Sequence, residues 1–292
     1  CKITGHTIEE SFLGGQMWYT GGVMPFYEYE HIPGIDHLCR GLNNDLSVKQ
    51  VASVAAQLGK KRVLSEMFAA CGWDVSPTEL KRIAEWQYAA GINLMCQHLY
   101  AYSIRGQRKT DYPAHYSEHL PWQDAFGTFN TYFNRLGCAL SMGTEAVNTL
   151  VLHPIHSAYL RYRREEDASS IRELETATAE LVGLLSENQI AYHFGDETLM
   201  AKYGSVEEDE LVIGNCRYRY VVVPFCETVD ATTAALLKKF LAGGGKVYLY
   251  GAAPTRIDGR SADLSWLRGN IDFAELKAAA PTAVSCFDGT RA

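Results

Sequence analysis

The sequence predicts an α/β protein: the C-terminal half of a (β/α)8 barrel, followed by a flavodoxin-like domain on an open parallel sheet. Three observations lead there. Short apolar runs alternate with helical segments of three or four turns, a pattern that calls for parallel strands joined by right-handed crossovers. In the first half the segments after the strands are long and polar-aromatic (residues 7–33, 67–75 and 99–121), while the turn before RVLSE is only Gly59-Lys60-Lys61. Long loops on the carboxyl ends of strands are the mark of a barrel. From Val147 the alternation restarts in a different style, which reads as a second, open sheet. The expected domains are therefore residues 1–145, a catalytic half barrel, and residues 146–292, a flavodoxin-like domain truncated at its C-terminus.

Each element has a local reason. KITGH (2–6) and GIDHLC (34–39) are short apolar strands, and about four such strands fit the first half. Ser47 is placed as a helix cap with Gln50 at the third position, and Gly59 stops that helix. RVLSEMF is the next strand. Ser76-Pro77-Thr78-Glu79 is a second capping box with proline at the first helical position, and that helix ends at Gly91. INLMCQH (92–98) is a strand, and the segment from Pro121 to Leu140 is a long aromatic helix. In the second half VNTLVLHPIHSAY is a buried strand with a loop, and residues 171–188 form an amphipathic helix. IAYHF, CRYRYVVVPF and KVYLYG are three more strands, with ATTAALLKKFLAGGG a helix ended by its glycines.

Composition bounds the function. A chain of 292 residues has room for two domains, and 47% hydrophobic with 21% charged residues is ordinary for a globular protein. A net charge of −7 and a pI near 5.7 exclude nucleic acid as a partner, because phosphate binding needs a basic surface. No apolar run is long enough to span a membrane. The eight cysteines, at 1, 39, 71, 96, 138, 216, 226 and 286, include no CxxC pair, and several sit in apolar runs. That favours a reducing, cytoplasmic setting over a disulfide framework. The chain opens on CKITGHT and ends on FDGTRA without the marks of a natural terminus, which predicts a piece of a longer polypeptide.

The chemistry gathers at strand ends. Glu66 closes an apolar strand and is followed by a loop carrying Trp73 and Asp74. A carboxylate at a barrel mouth beside aromatics suits glycoside hydrolysis, where one carboxyl group protonates the leaving oxygen and another activates water or attacks the sugar. His6 and Glu9, Asp36 and His37, and His98, Tyr100 and Arg105 each follow a strand. With Trp73 they are the expected sugar-binding set, supplying aromatic faces and hydroxyl-binding polar groups. HYSEH (115–119) lacks the HExxH spacing and lies between prolines, so it is read as a loop without a metal. The glycines of AGGGK precede a strand and are a helix stop rather than a phosphate loop. Cys226 stands where an amidotransferase-like fold could carry a nucleophile, but without the glycines of a nucleophile elbow it reads as structural.

GHTIEE, PGIDHL, RVLSEMFAACGWD and INLMCQHLYAYSIRGQRKTDYP together resemble a large bacterial glycoside hydrolase. The similarity is to the α-L-rhamnosidase-like barrels of family 106 over residues 1–160, and to the glutaminase-like, catalytically silent domain of β-galactosidase-type enzymes thereafter. The resemblance implies an α-L-rhamnosidase-like glycosidase acting on a glycoside or oligosaccharide. Glu66 would be its general base or nucleophile, with the acid upstream of Cys1. It also implies a calcium ion near the sugar, to which no residue can be assigned, and no other cofactor. Two alternatives remain open at this point: a non-catalytic carbohydrate-binding relative, and a class I amidotransferase-like enzyme using Cys226.

Overall fold

A computed structural model describes residues 1–42, 45–166 and 169–281. Cys286 and the FDGTRA end lie outside the described residues. Two short helices, α1 (Leu13–Tyr19) and α2 (Met24–Tyr27), precede a parallel three-stranded sheet of β1 (Gly34–His37), β2 (Leu64–Met67) and β3 (Leu94–Gln97). The crossovers are α3 (Asp45–Gln57) and α4 (Pro77–Ala89), and α5 (Phe126–Met142) follows β3. The capping box of α4 forms as its sequence requires: Ser76 Oγ accepts from the Glu79 amide, and Glu79 accepts from the Ser76 amide. Gly59 and Gly91 end α3 and α4 in the left-handed region, at φ of +70° and +120°.

The second sheet comprises β4 (Thr149–Leu152), β5 (His193–Gly195), β9 (Tyr220–Val223) and β11 (Lys246–Leu249), all parallel, in the order β11-β9-β4-β5. Counted along the chain, that is the 2-1-3-4 order of a flavodoxin-like sheet. Helices α6 (Ile155–Arg161) and α7 (Arg172–Glu187) join β4 to β5, and α9 (Ala231–Ala242) joins β9 to β11. Between β5 and β9 the chain inserts α8 (Glu197–Tyr203) and an antiparallel meander of β6 (Gly204–Glu207), β7 (Glu210–Ile213) and β8 (Cys216–Tyr218). A small sheet of β10 (Thr228–Val229), β12 (Arg256–Ile257) and β13 (Arg260–Ser261) and a last helix, α10 (Phe273–Ala279), complete the described fold.

Four expectations need correction. Residues 2–6 are not a regular strand: Thr4 forms an isolated parallel bridge to Ile32, and the Ile3 carbonyl accepts from the His31 and Ile32 amides, so the segment lies along the edge of the first sheet. Its side chains are mostly exposed. Ser47 is not a cap. It lies inside α3, fully buried, and Gln50 turns inward to accept from Gln16 rather than back toward Ser47. PIHSAY is the helix α6, not a loop. CRYRYVVVPF divides at Arg219 into β8 of the meander and β9 of the parallel sheet. The acidic VEEDE segment is the hairpin between β6 and β7, with Glu208 at a φ of +52° in its turn.

The two sheets share one buried cluster. Val48, Val51 and Val54 of α3 pack with Ile35 and Met67 on one side and with Val151 and Phe194 on the other. Polar groups reinforce the seam: Ser53 Oγ accepts from the Phe194 amide at 2.8 Å, and Gln57 Nε2 donates to the Phe194 carbonyl at 2.9 Å and the Tyr218 hydroxyl at 3.0 Å. The small and amide side chains of α3, read from sequence as one crossover helix of the first unit, are thus matched to both sheets. No described helix is long and apolar enough to cross a membrane.

Candidate active site

Parallel register decides which strand residues meet. Asp36, Glu66 and Cys96 stand opposite one another across β1, β2 and β3. Alternation sends neighbours to the other face, where Ile35, Ser65 and Met67 are fully buried under the helices. The row Asp36-Glu66-Cys96 therefore lines the open, barrel-inner face. The edge segment brings His6 to it, and His6 Nε2 lies 2.9 Å from Glu66 Oε2. The other ring nitrogen, Nδ1, is 2.6 Å from the Thr7 carbonyl, which fixes it as the protonated one.

Beneath this row lie two carboxyls that sequence reasoning did not select. Glu10 is fully buried; its Oε1 accepts from Thr7 Oγ1 at 2.9 Å and faces the Asp36 amide at 3.4 Å. Glu30 is 3% exposed, and one oxygen of each, with Asp36 Oδ1, is buried without a hydrogen-bond partner. Burial pushes Asp36 up to about 6 against the opposing pull of His6, and pushes Glu30 up to about 7. Burial raises Glu10 as well. For His6 burial favours the neutral ring, but the Thr7 carbonyl and the carboxylates of Asp36, Glu66 and Glu10 outweigh it and raise its pKa. The site thus gathers several carboxyls around one imidazole, with Asp36, Glu30 and Glu10 raised by burial.

The remaining sequence candidates divide. His98 follows β3 with the same parity as Cys96; its Nδ1 is buried without a partner, and its charge acts on Asp36. Glu9 does not join the site: it is exposed at a φ of +59°, packed against Gly15, and Glu10 takes the inward place. His37 faces the helix layer, where Nε2 meets the Gly41 carbonyl at 3.1 Å and the ring lies 5.0 Å from Trp86. Alternation forbids Asp36 and His37 from sharing a face. Trp73 donates to the Lys109 carbonyl at 2.7 Å, rests on His115 and lines a separate depression with Ile104, Lys109, Thr110 and His119. Tyr100 is exposed and donates to Glu118 at 2.6 Å, and Arg105 leads into an exposed turn at 106–110.

Among the described residues, two groups bring three metal-capable side chains within 4.8 Å: His6, Asp36 and Glu66, and His156, Glu197 and Asp230. The first does not fit calcium, which takes six to eight oxygen ligands. An imidazole nitrogen already holds the Glu66 oxygen. In the second, Glu197 accepts from the Asp230 amide at 2.6 Å and His156 Nδ1 meets Asp230 at 2.8 Å, a network that closes the starts of α6, α8 and α9. Neither HYSEH histidine belongs to a group. Cys226 is buried, and burial pushes its thiol up, away from the thiolate that an amidotransferase nucleophile requires.

No protein-family model matches the sequence, and no curated protein matches it. Solved structures do. A rhamnosidase from Novosphingobium sp. PP1Y superposes with a TM-score of 0.61 at 16% identity, over 88% of this chain and 24% of that one. A β-galactosidase from Bacillus circulans sp. alkalophilus gives 0.60 at 9% identity, over 88% and 37%. An exo-carrageenase of family GH42 from Bacteroides ovatus gives 0.59 at 13% identity, over 88% and 36%. The fold is glycoside hydrolase-like, a partial barrel followed by a sheet domain. The chain spans about a quarter of the rhamnosidase and under two fifths of the other two. In (β/α)8 barrels the functional end is the carboxyl end of the strands, and Asp36 and Glu66 are each the last but one residue of their strands.

Proposed function

We propose that this chain carries one half of a glycosidase active site, with Glu66 as the nucleophile or general base. The observation behind the reading is the position of Glu66. It stands on the middle strand, on the inner face, in register with Asp36 and 2.9 Å from His6 Nε2. The Glu66 side chain is 19% exposed on that face. His6 holds Oε2 and leaves Oε1 for a sugar carbon or a water. The two-carboxylate mechanism places its groups on opposite sides of the scissile bond, so the proton donor comes from another strand of the complete barrel. Asp36, protonated up to about 6, would hydrogen-bond a ring hydroxyl. His98, Tyr100, Arg105 and Trp73 are proposed as outer sugar contacts, and no metal is needed for the step assigned to Glu66.

The likeness to a rhamnosidase and to β-galactosidases directs the first assays to aryl α-L-rhamnosides and β-galactosides, with the rhamnoside preferred. Glu66→Gln, in the protein carrying the complete barrel, keeps size and one acceptor oxygen but cannot take a proton or form a glycosyl ester. Turnover should drop by at least about 10²-fold, the lower bound for lost acid–base assistance, while sugar affinity and melting temperature stay near the parent's. A kcat within about threefold of the parent, far short of that range, removes Glu66 from the mechanism. Unchanged sugar binding in a parent without turnover would instead mark a carbohydrate-binding relative.

A further inference from the structure

The second sheet has a topological switch point. From β4 the chain leads to β5 on one side, and from its neighbour β9 it leads to β11 on the other. In open α/β sheets ligands settle where such connections part, because the diverging chains leave a crevice beyond the strand ends. Here α6, which leaves β4, is tied to the segment that leaves β9: Ser157 Oγ accepts from the Glu227 and Thr228 amides at 2.9 and 3.2 Å. Beside that tie lies a cavity of about 380 Å3 lined by Leu160, Arg161, Arg163, Ser170, Glu227 and Arg256.

Three guanidiniums converge on this cavity in a chain whose net charge is −7. Arg161 is the anchor. Its Nε meets Glu227 and its Nη2 meets Glu173, each at 3.0 Å, and its plane lies 5.8 Å from the Phe225 ring. Its Nη1 is buried and has no hydrogen-bond partner. Arg163 uses Nη1 on the carbonyls of Leu160 and Tyr162, and Arg256 uses Nη1 on that of Gly259. A guanidinium has five N–H donors in a planar fork, so these contacts leave donors directed to the cavity's occupant. Among the described residues, two carboxylates, Glu173 and Glu227, stand against three guanidiniums and leave a positive surplus. An ion-pair staple between α6 and its neighbours would need Arg161 alone, and would not gather Arg163 and Arg256.

We infer that this cavity binds a small anion through a phosphoryl or carboxylate group held by Arg161, Arg163 and Arg256. Planar forks suit both groups, which accept paired N–H donors. The site lies outside the glycosidase face and does not depend on the reading of Glu66. The experiment is calorimetric titration of the intact chain with inorganic phosphate and, separately, with glucuronate, at constant ionic strength set with chloride. Saturable 1:1 binding of either anion supports the site, and which one binds distinguishes a phosphoryl from a carboxylate ligand. Arg256→Gln, at an exposed position, should keep the parent's melting temperature and weaken binding at least tenfold, as loss of a charge-assisted hydrogen bond does. Arg161→Gln should abolish binding. If Arg161→Gln does not fold, Arg256→Gln decides. No saturable binding of either anion, or binding unchanged in Arg256→Gln, overturns the inference.

Discussion

Asp36→Asn tests whether the carboxyl beside Glu66 holds its proton in the folded protein. Asp36 is raised from 3.8 to about 6, first by burial and against His6. The folded state therefore binds the proton more tightly than the unfolded state, and stability falls as the pH rises from 3.8 through about 6. At ~1.36 kcal/mol per pH unit the full displacement would cost about 3 kcal/mol above that window. The site is open to water on one side, and solvent screening reduces such figures, leaving about 1 kcal/mol. Asparagine keeps the shape and removes the charge. The variant should be more stable than the parent by about 1 kcal/mol at pH 8, with the gap shrinking steadily toward pH 4.5. Urea unfolding of both proteins in parallel at pH 4.5, 6 and 8 gives the difference directly. A difference that does not change with pH, or a variant less stable than the parent at pH 8, refutes the reasoning.

Other perturbations follow from single contacts. Gly34→Ala places a methyl 2.4 Å from the Gly5 carbonyl and 3.0 Å from Leu64; overpacking of this kind costs about 1–3 kcal/mol, and the activity assigned to Glu66 should fall as the His6 segment is pushed from the sheet. A melting temperature equal to the parent's would mean that residues 2–6 do not pack there. Gln57→Leu leaves the Phe194 carbonyl unpaired at the seam of the two sheets, and should cost about 1–3 kcal/mol in urea unfolding; under about 0.5 kcal/mol would deny α3 its bridging role. Ser76→Ala removes the Oγ that accepts from the Glu79 amide, keeps the backbone half of the capping box, and should lower stability by about 1 kcal/mol. Cys226 should resist iodoacetamide at neutral pH while exposed Cys39 is modified, and peptide mapping that finds Cys226 labelled in folded protein contradicts its burial.

Local patterns settled much of this protein in advance. The Ser76–Glu79 box, Gly59 and Gly91 act within one turn of chain, so they place α4 and end α3 without help from distant residues. Apolar runs with helices between them require parallel strands, and both parallel sheets follow. The strand-end position of Glu66 was likewise visible in RVLSEMF. Alternation within GIDH already held the separation of Asp36 from His37, since adjacent strand residues face opposite ways. Tertiary structure decided the rest. Ser47 looks like a cap until α3 is packed on two sheets, where its first turns are buried and Gln50 serves Gln16 and His153 instead. Glu10 and Glu30 carry no sequence signal separating them from Glu9 and Glu28. Only the fold puts two of these four carboxyls in the dry layer beneath His6 and leaves Glu9 outside, because desolvation depends on neighbours 20 or more residues away.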